Sequence, residues 1–236
     1  MLDYDGTLAP FQVDRMRAFP YPGVEARLDR IDRGALVIVT GRSARELLTH
    51  FPFARRVELW ASHGREHLTA KGEYQFFELT AEQSTQLAAV ESGLTGTSVP
   101  PSAIERKPAS LAVHWRGRPV DAQHALRELI AQLYTPLKGN PAIELLPFED
   151  GLEFRATGRT KGDAVQAVLA SRASNFPVAY LGDDLTDEDA FAALRPDDLG
   201  LLVRQEPRAT LGSHWLRPPE ELLTFLDDWI HAAGKN

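Results

Sequence analysis

Two stretches of the chain share one pattern, in which an aliphatic run is followed by a glycine-containing turn and then by a helical pattern. The first stretch spans 35–50 and starts with the run ALVIVT, and the second spans 178–194 and starts with VAYL. Continuous apolar strands of this kind belong to parallel sheets that are covered on both faces. We therefore expect an α/β core whose functional loops gather at the carboxyl ends of the strands.

The middle of the chain has a different pattern. Its strands are short or alternate between apolar and polar residues, and two long helical patterns accompany them, which favours an antiparallel sheet with helices on one face. The predicted elements are helices over 81–91 and 120–134 and strands over 110–116, 143–146 and 152–156. After these, a helix over 161–170 resumes the α/β pattern. The sequence thus predicts an α/β core, 1–80 and 157–236, interrupted by an inserted α+β unit over 81–156.

Composition narrows the possible functions. The 236 residues include 26 Lys and Arg, 33 Asp and Glu and no Cys, for a net charge of -7. Without Cys the chain has no disulfide, thiolate metal site or thiol nucleophile, and its acidic balance argues against nucleic-acid binding. No apolar run approaches the roughly 20 residues that span a bilayer. Because Met1 and Leu2 do not begin a secretory signal, we expect no membrane partner and a cytoplasmic location.

The first candidate for chemistry is the start of the chain, Leu2-Asp3-Tyr4-Asp5-Gly6-Thr7-Leu8. If a strand ends at Asp3, the chain curls and both carboxyl groups can point at one spot above the sheet edge. One carboxylate could then attack a substrate while the other transfers a proton. An ordinary turn rich in Asp and Gly is the alternative, because these residues dominate turns.

A second acidic segment follows the strand at 178–181, with five carboxylates between Asp183 and Asp189. Such a density of negative charge is usually balanced by a hard divalent cation. Capping of a helix explains Asp187 to Asp189, but it does not explain Asp183 and Asp184, which precede the helix. The spacing differs from that of a calcium-binding EF-hand loop. A site at a sheet edge with a small number of oxygen ligands is better suited to Mg²⁺.

Two further segments are suited to anions. Thr40-Gly41-Arg42-Ser43 joins a strand to a helix, so the hydroxyl group of Thr40 and the first amides of the helix could hold phosphate oxygens. Lys161 lies at a helix start, where the helix dipole disfavours a cation unless a phosphate is close by. Taken alone, each of these segments is better explained by helix capping or by a surface lysine, both of which are common.

Together the four segments resemble the haloacid dehalogenase (HAD) superfamily of phosphatases, whose four motifs occur in this order. The resemblance implies a HAD-like Rossmannoid core in which Asp3 is the nucleophile that forms an aspartyl-phosphate, and Asp5 is the general acid and base. It also implies that Thr40 and Lys161 neutralise the phosphoryl oxygens. Mg²⁺ would be held by the carboxylates of Asp3 and Asp183 and the backbone carbonyl of Asp5, with Asp187 in support.

A second set of segments spans most of the chain: Leu2 to Phe11, Gly41-Arg42-Ser43, Ser62-His63-Gly64-x-Glu66, Glu105-x-Lys107-x-x-Ser110 and Gly151-Leu152-Glu153-Phe154-Arg155. These segments resemble trehalose-6-phosphate phosphatases, and the resemblance covers essentially the whole chain. In that family the inserted unit is a C2-type cap over the active site. The resemblance implies that Glu105, Lys107 and Glu153 bind sugar hydroxyls. It places Gly41, Arg42, His63 and Gly64 at the core side of the sugar site. The cap residues could also form a plain solvated cluster, and His63 could be a core histidine.

The leading hypothesis is therefore a monomeric Mg²⁺-dependent phosphatase of trehalose 6-phosphate. The alternatives are a phosphatase for glucosylglycerol phosphate or for a glucosyl- or mannosyl-3-phosphoglycerate, and a non-catalytic module that binds sugar phosphates. Ser62 stands where the family usually has Asn, and Ala156 stands where it usually has Pro, and both differences concern the identity of the sugar. Only two residues precede Asp3, so either residues are missing upstream or the start is shifted. If the chain does begin at Met1, we expect apolar residues added ahead of it to raise the melting temperature.

Overall fold

The chain folds into two units, of which the second is inserted into the first. The computed structural model describes residues 1–12, 15–95, 97, 99–148, 150–173 and 175–233. Met1–Phe76 and Thr160–Asn236 form the core unit, and Phe77–Arg159 forms the inserted unit. The boundaries predicted from the sequence, 81 and 156, lie inside the inserted unit.

The core unit is built around a mostly parallel sheet. Its strands are β1 (Val37–Val39), β2 (Glu58–Ala61), β3 (Glu66–Leu68), β4 (Tyr74–Phe76), β9 (Ala179–Gly182), β10 (Leu199–Val203) and β11 (His214–Leu216). Its helices are α1 (Val24–Leu28), α2 (Ala44–His50), α5 (Lys161–Ala170), α6 (Glu188–Ala192) and α7 (Glu220–Ala233). Strands β1 and β2 are parallel, as are β9, β10 and β11, whereas β3 and β4 pair antiparallel at the edge beyond β2.

Leu2 joins the two halves of the core sheet. It forms parallel bridges to Ile38 of β1 on one side and to Leu181 of β9 on the other. The resulting order is β4, β3, β2, β1, Leu2, β9, β10, β11. All three residues of β1 are buried, as expected for a strand that is covered on both faces. Residues just beyond Leu2, β1 and β9 therefore lie side by side at the carboxyl edge of the sheet.

The inserted unit is a four-stranded antiparallel sheet with two long helices. Its elements are α3 (Ala81–Thr95), β5 (Ile104–Lys107), β6 (Ser110–His114), α4 (Val120–Tyr134), β7 (Ile143–Phe148) and β8 (Gly151–Ala156), and the strand order is β5, β6, β8, β7. Leu126 and Ile130 of α4 join Leu111, Val113 and Phe154 of the sheet in one apolar cluster. Because side chains alternate along a strand, Glu105, Lys107, Ser110, His114 and Glu153 share the opposite face.

The predicted α/β core with an inserted α+β unit is confirmed, whereas several element boundaries differ. Helix α3 continues to Thr95 because Val90 and Leu94 are buried and hold its last turn against the sheet. The helical pattern at the end of the stretch 178–194 forms a 3-10 turn, Leu185–Asp187, followed by the short helix α6. Within the described residues, no helix is both long and apolar enough to cross a membrane.

Candidate active site

Asp3 lies at the centre of the carboxyl edge of the core sheet. Its amide donates to the carbonyl of Leu181 at 2.9 Å, and its side chain is buried. Beyond it the chain turns back, and the amide of Gly6 donates to the carbonyl of Ala9 at 2.8 Å. Gly6 has a φ of 77°, and a Cβ there would lie 2.2 Å from Asp183 Oδ2. Glycine is therefore required at this position both for the turn and for the approach of Asp183.

Three buried carboxylates meet at this edge. Asp3, Asp183 and Asp187 each offer an oxygen atom, and these three atoms all lie within 4.8 Å of one another. Lys161, also buried, lies against them, with its Nζ 2.8 Å from Asp187 Oδ1 and 3.1 Å from Asp3 Oδ2. The structure thus brings together four residues that are up to 184 positions apart in the sequence. One ammonium group faces three carboxylates, so an excess of negative charge remains.

Asp187 is held by four donors. Its Oδ1 accepts from Lys161 Nζ at 2.8 Å and from the hydroxyl of Tyr180 at 2.5 Å, and its Oδ2 accepts from the amides of Asp183 and Asp184, both at 3.0 Å. A carboxylate has about four acceptor positions, so those of Asp187 are fully used. This geometry suits a residue that positions Lys161 and the backbone of Asp183.

The electrostatics of the cluster follow from its burial. Burial raises the pKa of Asp3 to about 7, although the Lys161 ammonium opposes the rise. Burial, and then the carboxylates of Asp3 and Asp187, raises the pKa of Asp183 well above its usual range. Burial alone would lower the pKa of Lys161, but the carboxylates of Asp187 and Asp3 outweigh it and raise this pKa. Ionising all the carboxylates is therefore costly without further positive charge.

The donor set fits a hard divalent cation. Asp183 Oδ1 accepts from the hydroxyl of Thr7 at 3.2 Å, whereas its buried Oδ2 has no hydrogen-bond partner among the described residues. A buried carboxylate oxygen without a partner costs free energy unless a cation or a donor reaches it. Carboxylate oxygens are also the ligands that Mg²⁺, Ca²⁺ and Mn²⁺ prefer. The carboxylate oxygens of Asp3 and Asp183 therefore fit a divalent metal ion.

Asp5 is held by a bidentate ion pair. Arg42 Nε donates to Asp5 Oδ2 and Arg42 Nη2 donates to Asp5 Oδ1, each at 2.6 Å, and Arg42 Nη1 donates to Glu46 at 2.9 Å. The guanidinium is buried and also lies over the ring of Tyr4, 5.3 Å from its centroid. The family resemblance implies that Arg42 lies at the sugar site, whereas in the structure it binds Asp5, the predicted general acid and base.

The loops after β1 and β2 pack closely against each other. Thr40 Oγ1 accepts from the amide of Arg42 at 3.1 Å, and the carbonyl of Thr40 accepts from the amide of His63 at 3.1 Å. A Cβ at Gly41 would lie 2.6 Å from the ring of His63, and one at Gly64 would lie 2.6 Å from the carbonyl of Thr160. These contacts bring Thr40, Gly41, His63 and Gly64 together near the start of α5.

The inserted unit carries a polar cluster of its own, which we call the sheet cluster: Glu105, Lys107, Ser110, His114 and Glu153. Glu153 Oε1 accepts from Ser110 Oγ at 2.5 Å and from Lys107 Nζ at 2.9 Å. Glu105 Oε2 lies 2.8 Å from His114 Nε2, and Glu105 Oε1 lies 3.8 Å from Lys107 Nζ. The three residues predicted to bind sugar are therefore neighbours, and Ser110 and His114 join them.

The sequence predicted no role for two residues that lie at the site, Tyr180 and Thr7. Tyr180 is fully buried in β9, and burial, followed by the carboxylate of Asp187, raises the pKa of its hydroxyl well above the usual range. Its position in an apolar strand indicates a residue of the hydrophobic core. Only the folded structure shows that its hydroxyl contacts Asp187. Thr7 lies within the Asp3 segment, but its contact with Asp183 joins parts of the sequence 176 residues apart.

Comparison with known proteins gives the family. The sequence profile described as trehalose-phosphatase matches residues 1–214. The protein of Oryza sativa named "Probable trehalose-phosphate phosphatase 3" is 32% identical over 252 residues, covering 95% of this chain and 67% of its own length. The trehalose 6-phosphate phosphatase RA3 of Zea mays is 30% identical over 258 residues, covering 99% of this chain and 70% of its own.

Solved structures share the fold. The C-terminal domain of the C. albicans trehalose-6-phosphate phosphatase superposes with a TM-score of 0.80 at 22% identity, covering 98% of this chain and 90% of that one. A haloacid dehalogenase-like hydrolase from B. subtilis superposes with a TM-score of 0.64 at 13% identity, covering 96% and 98%. The fold is thus that of HAD hydrolases, and the profile match over most of its length places this chain in the trehalose-phosphatase family of phosphoric monoester hydrolases.

Proposed function

We propose that this chain hydrolyses trehalose 6-phosphate to trehalose and phosphate in a Mg²⁺-dependent reaction. The convergence of Asp3, Asp183 and Lys161 at one buried sheet edge supports this proposal most directly. A phosphate monoester is a dianion, and it approaches an anionic nucleophile only where positive charge is concentrated. The printed names of the relatives support the choice of trehalose 6-phosphate as the substrate.

The residues proposed to hold Mg²⁺ are Asp3 and Asp183 through their carboxylates and Asp5 through its backbone carbonyl. Asp187 is proposed to position these residues and not to bind the metal directly, because its own oxygens already accept four hydrogen bonds. Mg²⁺ suits a site with few protein ligands, since it usually retains waters and binds substrate phosphate. When bound, it would supply the positive charge that lowers the repulsion between the phosphoryl group and Asp3.

In the first chemical step, an oxygen of the Asp3 carboxylate attacks phosphorus and the bond from phosphorus to the sugar oxygen breaks. Asp5 donates a proton to that oxygen, so trehalose leaves as a neutral alcohol and an aspartyl-phosphate remains. In the second step a water molecule attacks phosphorus while Asp5 accepts its proton. The bond between Asp3 and phosphorus then breaks, and phosphate is released.

Thr40 and Lys161 are proposed to bind the phosphoryl oxygens. Thr40 Oγ1 accepts from the Arg42 amide, which leaves the hydroxyl hydrogen for a phosphoryl oxygen. The Lys161 ammonium has two carboxylate partners among the described residues, and a third hydrogen can be donated to the substrate. Both groups are buried, so their effect on the transferred phosphoryl group is screened little by water.

Arg42 is proposed to orient Asp5 instead of binding the sugar, since two of its nitrogens are committed to that carboxylate. The other sugar contacts predicted on the core unit are kept as proposals: Gly41, His63 and Gly64. The sheet cluster of the inserted unit is proposed to bind sugar hydroxyls. It combines carboxylate acceptors with ammonium, hydroxyl and imidazole groups, and a hydroxyl needs both donors and acceptors around it.

A panel of sugar phosphates tests the function. We expect phosphate release from trehalose 6-phosphate to be at least about tenfold more efficient than from the other substrates, with activity lost in a chelator and restored by Mg²⁺. Preference for glucosylglycerol phosphate or a glucosyl-3-phosphoglycerate would replace the proposed sugar and keep the chemistry. Absence of release from every substrate, together with measurable binding, would show a non-catalytic module. We expect a monomer in solution during these assays.

A further inference from the structure

Two arginines of the segment that follows β10 reach the backbone of the acidic segment after β9. Arg208 Nη2 donates to the carbonyl of Asp184 at 2.7 Å, and Nη2 and Nε lie 3.3 and 3.4 Å from the carbonyl of Asp183. Arg204 Nη1 donates to the same carbonyl of Asp183 at 3.3 Å. These contacts involve only backbone oxygens, so they leave the side-chain oxygens of Asp183 for other partners.

Asp187 binds the backbone amides of the same two residues. Its Oδ2 accepts from the amides of Asp183 and Asp184, both at 3.0 Å. The backbone of Asp183 and Asp184 is therefore bound through its amides by a carboxylate and through its carbonyls by a guanidinium. Among the described residues, the side chain of Asp183 has a single hydrogen bond, the 3.2 Å contact with Thr7. Its backbone therefore orients the unpartnered Oδ2 toward the proposed metal site.

Arg208 is itself fixed in place. Its Nη1 donates to the carboxylate of Glu188, at the start of α6, and to the carbonyl of Ala209. Glu188 is fixed in turn, since its Oε2 accepts from the amide of Leu211 at 2.7 Å. A planar guanidinium that is bound along several of its edges has little freedom to rotate, so it can hold the carbonyls at defined positions.

We propose that Arg208 is a positioning residue for the metal-binding segment, and that it acts through the backbone carbonyls of Asp183 and Asp184. The proposal rests on the proposed function, in which Asp183 is a metal ligand. Residues that orient metal ligands without touching the metal typically contribute about 10-fold to 100-fold in metal affinity. Arg208 would be such a residue, because it contacts the backbone of Asp183 and not the metal.

Its positive charge and its positioning contacts have opposite effects on a bound cation. If only the charge mattered, removal of Arg208 would reduce the repulsion of a cation and would tighten metal binding. If the contacts dominate, removal of Arg208 lets Asp183 move away from its productive orientation and weakens metal binding. The direction of the change therefore separates the two roles, and we expect weaker binding.

The experiment measures Mn²⁺ binding to the metal-free full chain from the paramagnetic resonance signal of the free ion, with Mg²⁺ as competitor. We expect Arg208→Gln to raise the dissociation constant for Mn²⁺ about 10-fold. Arg208→Lys, which keeps the positive charge on a single donor nitrogen, should raise it less. In turnover of p-nitrophenyl phosphate, the Mg²⁺ concentration for half-maximal rate should rise in parallel, while kcat at saturating Mg²⁺ stays within about twofold.

Arg195→Gln is the matched control. Arg195 is also partly buried, and it binds the carboxylate of Asp198 and the carbonyl of Phe176, away from the acidic segment. This variant should lose thermal stability and keep its Mn²⁺ affinity. Equal weakening in Arg195→Gln, or unchanged or tighter binding in Arg208→Gln, would overturn the role of Arg208. Failure of the unsubstituted chain to bind Mn²⁺ would overturn the metal assignment itself, and the role of Arg208 with it.

Discussion

The core unit and the inserted unit each hold carboxylates around one lysine, yet their charge balance differs. In the core, Lys161 faces Asp3, Asp183 and Asp187, and all four are buried. In the sheet cluster, Lys107 faces two carboxylates among the described residues, Glu105 and Glu153. The hydroxyl of Ser110 and the imidazole of His114 also contact these two carboxylates. The same residue types thus produce two different environments.

This difference indicates which ligand chemistry each cluster suits. An excess of buried negative charge with an unpartnered carboxylate oxygen calls for a cation, and a cation in turn attracts a phosphoryl group. A more nearly balanced cluster of donors and acceptors suits neutral hydroxyl groups, because each hydroxyl donates and accepts. Charge balance, and not residue type, therefore separates the proposed chemical site from the proposed sugar site.

The largest expected effect is that of Asp3→Asn. Asn has nearly the same shape but is a poor nucleophile, so we expect kcat for every phosphate ester to fall at least about 1,000-fold. Phosphate release under saturating Mg²⁺ measures this loss, and circular dichroism checks that the fold is retained. Substantial residual turnover by the folded variant would rule out Asp3 as the nucleophile.

Arg42→Lys comes next. A lysine keeps the positive charge but cannot form the bidentate contact with Asp5, so Asp5 is less well oriented for proton transfer. We expect kcat to fall about 10-fold to 100-fold with both trehalose 6-phosphate and p-nitrophenyl phosphate, and KM to change little. A rise in KM that is confined to trehalose 6-phosphate would instead show that Arg42 contacts the sugar.

Glu153→Gln tests the sheet cluster. We expect KM for trehalose 6-phosphate to rise about 10-fold, since the variant loses a charged acceptor for a sugar hydroxyl. Turnover of p-nitrophenyl phosphate, which has no sugar, should be unchanged. The control is Glu144→Gln on the adjacent strand β7, where Glu144 binds Arg155 outside the sheet cluster. If both variants alter KM equally, or if both substrates respond, the sheet cluster is not a sugar site.

The smallest expected effect concerns stability in metal-free buffer. The pKa of Asp3 is raised from 3.8 to about 7 in the folded chain. Between these values the folded chain holds a proton that the unfolded chain releases, so the stability from Asp3 is present at low pH and is lost as pH rises through about 7.

Asn has no such proton to lose. Asp3→Asn should therefore melt a few degrees above the unsubstituted chain at about pH 8, and the difference should shrink toward about pH 5. Scanning calorimetry over this pH range measures the difference, and saturating Mg²⁺ should abolish it. A variant that melts lower at about pH 8 would show that the carboxylate of Asp3 is not strained by its burial.

Much of the core site could be predicted because it depends on local sequence. Asp3, Thr40 and Asp183 each follow directly on an apolar run, and parallel strands bring their carboxyl ends to one edge. Some of the fold was not predicted, including β2, the β3–β4 pair, β10, β11, α1 and α7. Strands β3 and β4 have three residues each and are polar in part, so neither has an apolar run long enough to predict a strand.

The sequence by itself determined the α/β class, the inserted unit and the residues at the strand ends, because apolar periodicity and turn residues act over a few positions. Only the tertiary structure decided which side chain meets which: Arg42 with Asp5, Tyr180 with Asp187, and Arg208 with the carbonyls of Asp183 and Asp184. The physical reason is that long polar side chains reach several ångströms from their backbone. Their partners are therefore set by the packing of distant segments, and not by spacing along the chain.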